Sequence, residues 1–295
     1  MEILQQNSFY PTEVALILGF FDGVHIGHKD VILSAVDFAK KNSKKSLLIT
    51  FNPSPAEYFS RNTELIFERV YSYKLIENLG VDYLLELDFT KIAEISAIDY
   101  LQNFLIKNFK PISISTGFNH SFGLKRQGNS DFLENYSKIF NYEYFCIPAK
   151  ILNNEVVSSS IIKEYLRNGD VESANDFLGR CFSISSTVIE GKQLGREIGF
   201  PTANLEYPQN IVKLPYGVYA VEVLNKKGVL NWGVKPTVVV DKPVLEVHIL
   251  DEKIDLYGKN INIKFMKRIR DEKKFNSLID LKQQITKDIE ECLKL

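Results

Sequence analysis

Apolar positions in the first half of the chain follow two alternating spacings. Residues 14–20 form an unbroken apolar run with β-branched content, closed by Asp22-Gly23, and predict a buried strand. Residues 29–41 place Val31, Ile32, Ala35, Val36 and Phe38 on one side of a predicted helix. The alternation continues with a strand over 46–51, ended by Asn52-Pro53-Ser54-Pro55, and a helix over 71–79. A strand over 83–87, a helix over 97–108 and a strand over 113–116 follow. Strands separated by helix-length segments pair in parallel, with the helices on the faces. Sites in such sheets gather at the carboxyl ends of the strands, where residues 20–23 and Asn52-Pro53 fall.

Short helices predicted over 159–167 and 170–178 flank Asn168-Gly169, and Gly179-Arg180 breaks the pattern. Beyond it, β-rich runs (183–189, 218–224, 244–249, 261–265) are separated by Gly, Pro, Asn and Asp clusters. That texture predicts an antiparallel barrel or sandwich. Residues 280–293 close the chain as an amphipathic helix with Leu281, Ile285, Ile289 and Leu293 four apart. The expected organisation is an α/β domain with a parallel sheet over 1–180 and an antiparallel β-barrel with a terminal helix over 181–295.

Composition narrows the partners. With 45% hydrophobic and 25% charged residues the chain has an ordinary globular balance. Lys+Arg 36 against Asp+Glu 37 leaves −1, so no global basic field argues for nucleic acid. Cys146, Cys181 and Cys292 lack metal-ligand spacing and read as reduced thiols. The run at 14–20 has no basic segment before it, and no stretch reaches membrane-spanning length. A cytoplasmic protein without nucleic-acid or membrane partners is expected.

Gly19-Phe20-Phe21-Asp22-Gly23-Val24-His25-Ile26-Gly27-His28 follows a predicted strand and opens a helix. His25 and His28 lie beside free backbone N–H groups at a helix N-terminus, which suits polyphosphate binding. A metal site, with only two ligands nearby, and simple helix capping are the other readings. The second constellation is Gly191-Lys192-Gln193-Leu194-Gly195-Arg196-Glu197-Ile198-Gly199-Phe200-Pro201-Thr202-Ala203-Asn204. Three glycines four apart with two cations suit a flap around phosphates. Thr202 and Asn204 supply the oxygen donors that Mg²⁺ prefers.

The first stretch resembles the G-x-F-D-G-x-H-x-G-H signature of nucleotidyltransferases, and most closely the FMN adenylyltransferase half of prokaryotic bifunctional riboflavin kinase/FAD synthetases. Gly80-Val81-Asp82, the segment Gly117-Phe118-Asn119-His120-Ser121-Phe122-Gly123 with Gly128, and Ser158-Ser159-Ser160-Ile161-Ile162-Lys163 match further family segments in order. The chain carries Phe20, Asn52, Ser54, His120 and Lys163 where the family has other residues. The second stretch resembles the riboflavin kinase signature G-x-x-x-G-R-x-x-G-F-P-T-A-N without a break. Residues 215–220, 231–237, Glu246-Val247-His248, 255–259 and 270–275 match the rest of that domain.

The resemblance implies a Rossmann-like nucleotidyltransferase domain and a riboflavin kinase barrel. It implies phosphorylation of riboflavin to FMN, then adenylyl transfer from ATP to FMN giving FAD and pyrophosphate, with Mg²⁺ in both steps. His25 and His28, with Gly23, Ser159 and Lys163, would handle ATP in the first domain, and Asn119 would help bind FMN or ATP. In the second domain Gly191, Lys192, Gly195, Gly199 and Thr202 would bind the nucleotide, and Thr202 and Asn204 the metal. Glu246 would accept the hydroxyl proton, and Arg270 and Phe275 would belong to a flavin loop. His248 shares a strand face with Glu246 by alternation and reads equally as a packed or hydrogen-bonding histidine. Trp232 and Tyr257 read as barrel core. A riboflavin kinase with a weak or inactive first domain, or a non-catalytic flavin-binding regulator, are the alternatives.

Overall fold

The computed structural model describes residues 1–6, 10–59, 64–190, 199–234, 243–250 and 256–295. The chain divides into two units: Met1–Glu64 with Arg69–Ser159, and Leu65–Glu68 with Ser160–Leu295.

In the first unit, long apolar runs become the middle of a parallel sheet. Its strands are β1 Glu2–Leu4, β2 Ala15–Leu18, β3 Ser46–Phe51, β4 Tyr83–Leu87, β5 Ser113–Gly117 and β6 Glu143–Ile147. They lie in the order β1-β4-β3-β2-β5-β6, each pairing parallel. β2 and β3 are buried along their whole length, because helices cover both faces. Leu16, Leu18, Leu47 and Ile49 pack with Leu101, Leu105 and Phe109 on one side. Ile17 and Leu48 pack with Val31, Ile32 and Val36 of the helix Ile26–Lys41 on the other. The helix predicted over 97–108 runs through Ala97–Asp99, a π-helical Tyr100–Ile106 and Lys107–Phe109. A small hairpin follows, β7 Ile151–Leu152 with β8 Glu155–Val156.

The second unit is antiparallel. Its strands are β9 Phe182–Thr187, β10 Ala203–Leu205, β11 Gly217–Val223, β12 Lys226–Val234, β13 Pro243–Ile249 and β14 Asn260–Arg270. The order is β10-β13-β12-β11-β14-β9. The two edges meet where Ile189, just past β9, donates its N–H to the Asn204 carbonyl of β10 at 2.9 Å. That bridge closes the sheet into a barrel and pairs an edge that would otherwise be open. Alternation puts Tyr219, Val221, Leu230, Trp232, Leu245 and Val247 inside, all buried. Trp232 is core, as expected, and its Nε1 donates to the Leu214 carbonyl at 2.9 Å.

The helix Leu278–Leu293 covers the outer face over Val218, Ala220 and Val229, using Ile289 and Cys292. Its packed face is narrower than the expected stripe: Leu293 is 52% exposed, and Asp288 is buried instead. Tyr257 is also not core. It sits on a turn, 39% exposed, beside Gly258 in the left-handed region.

The helices Ser159–Asn168 and Val171–Leu178, expected in the first domain, group with the barrel from Ser160 onward. The Asn175 side chain explains the attachment. Its Nδ2 donates to the Phe265 carbonyl and its Oδ1 accepts from the Phe182 N–H. Leu65–Glu68 joins the same unit. Leu65 bridges Ile211 in parallel, its N–H donates to Asn210 O at 2.8 Å, and its carbonyl accepts from Val212 N at 2.9 Å. Ile66 and Phe67 are buried, and the Phe67 ring stacks on Phe182 at 5.9 Å.

Candidate functional sites

Strand order locates the first site. From β2 the chain winds outward through β3 and β4 on one side, where β1 forms the edge, and then crosses over to β5 and β6 on the other. The carboxyl ends of β2 and β5 therefore flank the switch point, where ligands of open α/β sheets bind. Both expected loops emerge there: residues 19–25 after β2, and the turn with Asn119 after β5. Asn119 is exposed on that turn, which is tied by His120 N donating to Gly117 O at 3.0 Å.

Gly23 sits at φ +81°, where a side chain would be strained, and carries the chain into the helix Ile26–Lys41. His25 is the N-cap: its Nδ1 accepts the His28 backbone N–H at 3.2 Å. An accepting Nδ1 leaves the ring proton on Nε2, so neutral His25 presents a donor. The His25 and His28 rings stack at 3.6 Å, with Phe21 edge-on to His28 at 5.2 Å. Capping and the stacked histidine pair are thus the same feature. Ser159 joins them through its hydroxyl, which donates to the Asp22 carbonyl at 2.9 Å. Lys163 follows one turn later on the same helix, in the part grouped with the second unit.

A polar cluster outside the expected site residues lies at the ends of β3 and β4. Glu86 accepts from Asn52 Nδ2 at 3.0 Å and from the Tyr73 hydroxyl. Arg69 donates to the Phe51 carbonyl at 2.9 Å and pairs with Glu57 and Glu86 at 3.2 and 3.5 Å. Its guanidinium lies 6.0 Å from the Phe20 ring. The signal was Glu86 interrupting an otherwise apolar strand just before its carboxyl end.

His120 has a cost as well as a position. Its ring is half-buried against Phe122, and Nε2 has no hydrogen-bond partner among the described residues. Burial pulls its pKa from 6.5 down to about 4. The unfolded chain therefore takes up a proton between those values that the folded unit refuses. Stability is full above the unfolded value and is lost as pH falls towards 4, by at most about 3 kcal/mol. Melting curves of the protein and of His120→Phe between pH 7 and 4.5 check this. The variant should lose less stability on acidification; parallel curves would refute it.

In the second unit the register itself assembles a site. Asn204 in β10 pairs directly with Glu246 in β13, and Glu246 pairs with Asn231 in β12. Directly paired residues share a face, so the carboxylate lies between two amides. Asn204 is buried; Glu246 and Asn231 are half-buried. Thr202 precedes β10, half-buried, and His248 Nδ1 lies 2.7 Å from the Pro201 carbonyl. Gly199 opens this segment at φ +91°, a left-handed backbone angle that calls for glycine. Gly191, Lys192 and Gly195 lie outside the described residues.

Arg270 is engaged by the terminal helix. Its Nε and Nη2 clamp the buried Asp288 carboxylate at 2.8–3.1 Å, and Nη1 donates to the Asp271 carbonyl. The guanidinium lies 5.8 Å from the Phe275 ring, which brings the two expected flavin residues together. Any side chain at Gly233 would collide with the Glu272 carboxylate, so this segment lies against β12 beside Asn231. Arg270 and Phe275 are therefore neighbours of the Glu246 row.

The FAD synthetase family model matches residues 8–161, and the riboflavin kinase family model matches residues 178–295. A Buchnera aphidicola (subsp. Schizaphis graminum) protein named bifunctional riboflavin kinase/FMN adenylyltransferase is 36% identical over 287 residues, covering 94% of this chain and 92% of its own. Proteins of the same name from Escherichia coli K12 and Bacillus subtilis are 33% and 34% identical, covering 92% and 95% of this chain and 90% and 91% of theirs. A crystal structure of a Streptococcus pneumoniae protein, described as a macrolide-efflux protein, superposes with TM-score 0.89 at 28% identity over 98% of both chains. Among the described residues no helix is long and apolar enough to cross a membrane. With both family models matched in tandem and relatives alike along nearly the whole length, this chain belongs to the bifunctional riboflavin kinase/FMN adenylyltransferase family.

Proposed function

We propose that the Glu246 row is the riboflavin kinase site and the His25–His28 pair the adenylyltransferase site of a bifunctional, cytoplasmic enzyme. The register Asn204–Glu246–Asn231 is the observation that carries this reading. In the first reaction the ribityl 5′-hydroxyl of riboflavin attacks the terminal phosphorus of ATP. Glu246 takes the hydroxyl proton, and ADP leaves with the bridging oxygen's electron pair. Gly199 and Thr202, with Gly191, Lys192 and Gly195, hold the nucleotide. Arg270 and Phe275 border the flavin.

The residues present suit Mg²⁺. It takes oxygen ligands and needs only one or two from protein when phosphates supply the rest. The Thr202 hydroxyl and the buried Asn204 amide are such a pair, and no group of three or more His, Cys, Asp or Glu among the described residues competes. When bound, the metal would offset charge on the ATP phosphates.

In the second reaction a phosphate oxygen of FMN attacks the α-phosphorus of ATP and pyrophosphate leaves. No enzyme nucleophile is needed; the task is positioning and neutralising charge. His25 and His28 face the phosphates, with Gly23 giving close backbone approach and Ser159 and Lys163 taking the outer phosphates. Asn119 borders FMN from the β5 side. Nucleic acid and membrane play no part.

The test of the whole reading is to incubate the protein with riboflavin, ATP and Mg²⁺ and separate riboflavin, FMN and FAD over time. FMN should rise first and FAD follow. FMN alone would remove the adenylyltransferase assignment, and neither product would remove both. His28→Ala should lower FAD formation from added FMN by about 10²-fold or more while sparing the kinase. An equal fall in both activities would contradict the division into two sites.

A further inference from the structure

We infer that His248 is a positioning residue for the kinase reaction, fixing Thr202 relative to Glu246. The inference rests on the kinase assignment above and adds a residue to it.

Thr202 and Glu246 come from distant parts of the sequence and must be held in one geometry. Backbone pairing does this only from Ala203 onward, where β10 begins against Val247. Thr202 lies one residue beyond the end of that ladder, in a segment that turns at Gly199. A terminal residue outside a ladder frays unless a side chain ties it. The His248 ring supplies the tie: its Nδ1 lies 2.7 Å from the Pro201 carbonyl, the group peptide-bonded to Thr202 N. A carbonyl oxygen only accepts, so Nδ1 carries the hydrogen and donates. The Phe200 ring meets the same imidazole edge-on at 5.7 Å and 89°, a second contact on the same short segment.

His248 is two residues from Glu246 in β13, so both side chains leave the same face of one rigid strand. The strand thus presents the base and, one pair along, the clamp on the backbone that carries Thr202. Pro201 suits the clamp, since its fixed φ limits how far its carbonyl can swing. Misplacing a reacting group by about 1 Å costs on the order of 10²-fold in rate. A hydrogen bond that sets the last residue before the ladder is therefore worth far more to the reaction than to the fold.

The test compares His248→Leu with His248→Asn in the full chain. Asn places an amide N–H near the position of Nδ1 and keeps the donor; Leu keeps bulk and loses it. His248→Leu should lower kinase kcat by about 10- to 100-fold, leave KM for riboflavin within about twofold, and leave FAD formation from FMN unchanged. Hydrogen exchange over residues 200–205 should quicken in the Leu variant. Asn should restore both exchange protection and most of the rate. A Leu variant within twofold of the parent, an Asn variant as slow as Leu, or unaltered exchange would each overturn the assignment. So would a Leu variant whose barrel no longer melts cooperatively, since the histidine would then serve the fold. Absence of kinase activity in the parent protein would instead remove the kinase reading itself.

Discussion

Glu246→Gln should abolish FMN formation, with kcat falling on the order of 10²- to 10⁴-fold, the usual contribution of a positioned general base. The substitution keeps shape and the ability to accept from neighbours, and removes only the capacity to take a proton. Its place between Asn204 and Asn231 on a closed sheet makes a large rearrangement unnecessary. Riboflavin affinity, measured by quenching of flavin fluorescence, should stay within a few-fold. FAD formation from supplied FMN should be unchanged, because the proposed adenylyltransferase site is built from other residues. Full turnover in the variant would remove Glu246 from its role. A parallel loss of flavin binding would make it a binding residue instead.

Asp288→Asn should destabilise the barrel unit by about 3–5 kcal/mol, the usual result of removing one partner of a buried ion pair. Asp288 is 2% exposed and receives three hydrogen bonds from Arg270 and one from Gln284. Without the carboxylate, Arg270 is left largely buried beside a neutral amide. Scanning calorimetry should show the barrel transition lowered by roughly 10–20 °C. Kinase activity should weaken well below that temperature, because Arg270 also holds the Asp271 carbonyl and faces Phe275. A shift of one or two degrees would show that the pair contributes little beyond its own desolvation.

What was legible in the sequence is what a single segment encodes. β3 and β4 fall at the residues that the apolar runs predict, since each is buried by helices on both faces. β1 has three residues and two of them exposed, so it left no pattern. β10 is hidden in the Pro-Thr-Ala-Asn motif, and β12 opens with Lys226-Lys227-Gly228, a start that reads as loop. The candidate residues Thr202, Asn204 and Glu246 were readable by motif, but their register was not, because strand pairing is a property of two distant segments. Asp288 lies outside the apolar spacing that predicts the terminal helix. Arg270, eighteen residues earlier, and Gln284 make its burial tolerable. The His248–Pro201 contact was hidden for the same reason.

Leu65–Glu68 has a consequence for how the molecule comes into being. The ribosome makes Leu65 about 150 residues before Val212, the residue that donates a hydrogen bond to it. At the usual 5–20 residues per second that is a wait of roughly 7–30 seconds. Throughout it, the side chains of Ile66 and Phe67 have no barrel in which to be buried. A fragment cut at the start of β9 would never receive them. The barrel unit is thus interrupted as a length of polypeptide: Leu65–Glu68 packs into it and is made long before the rest.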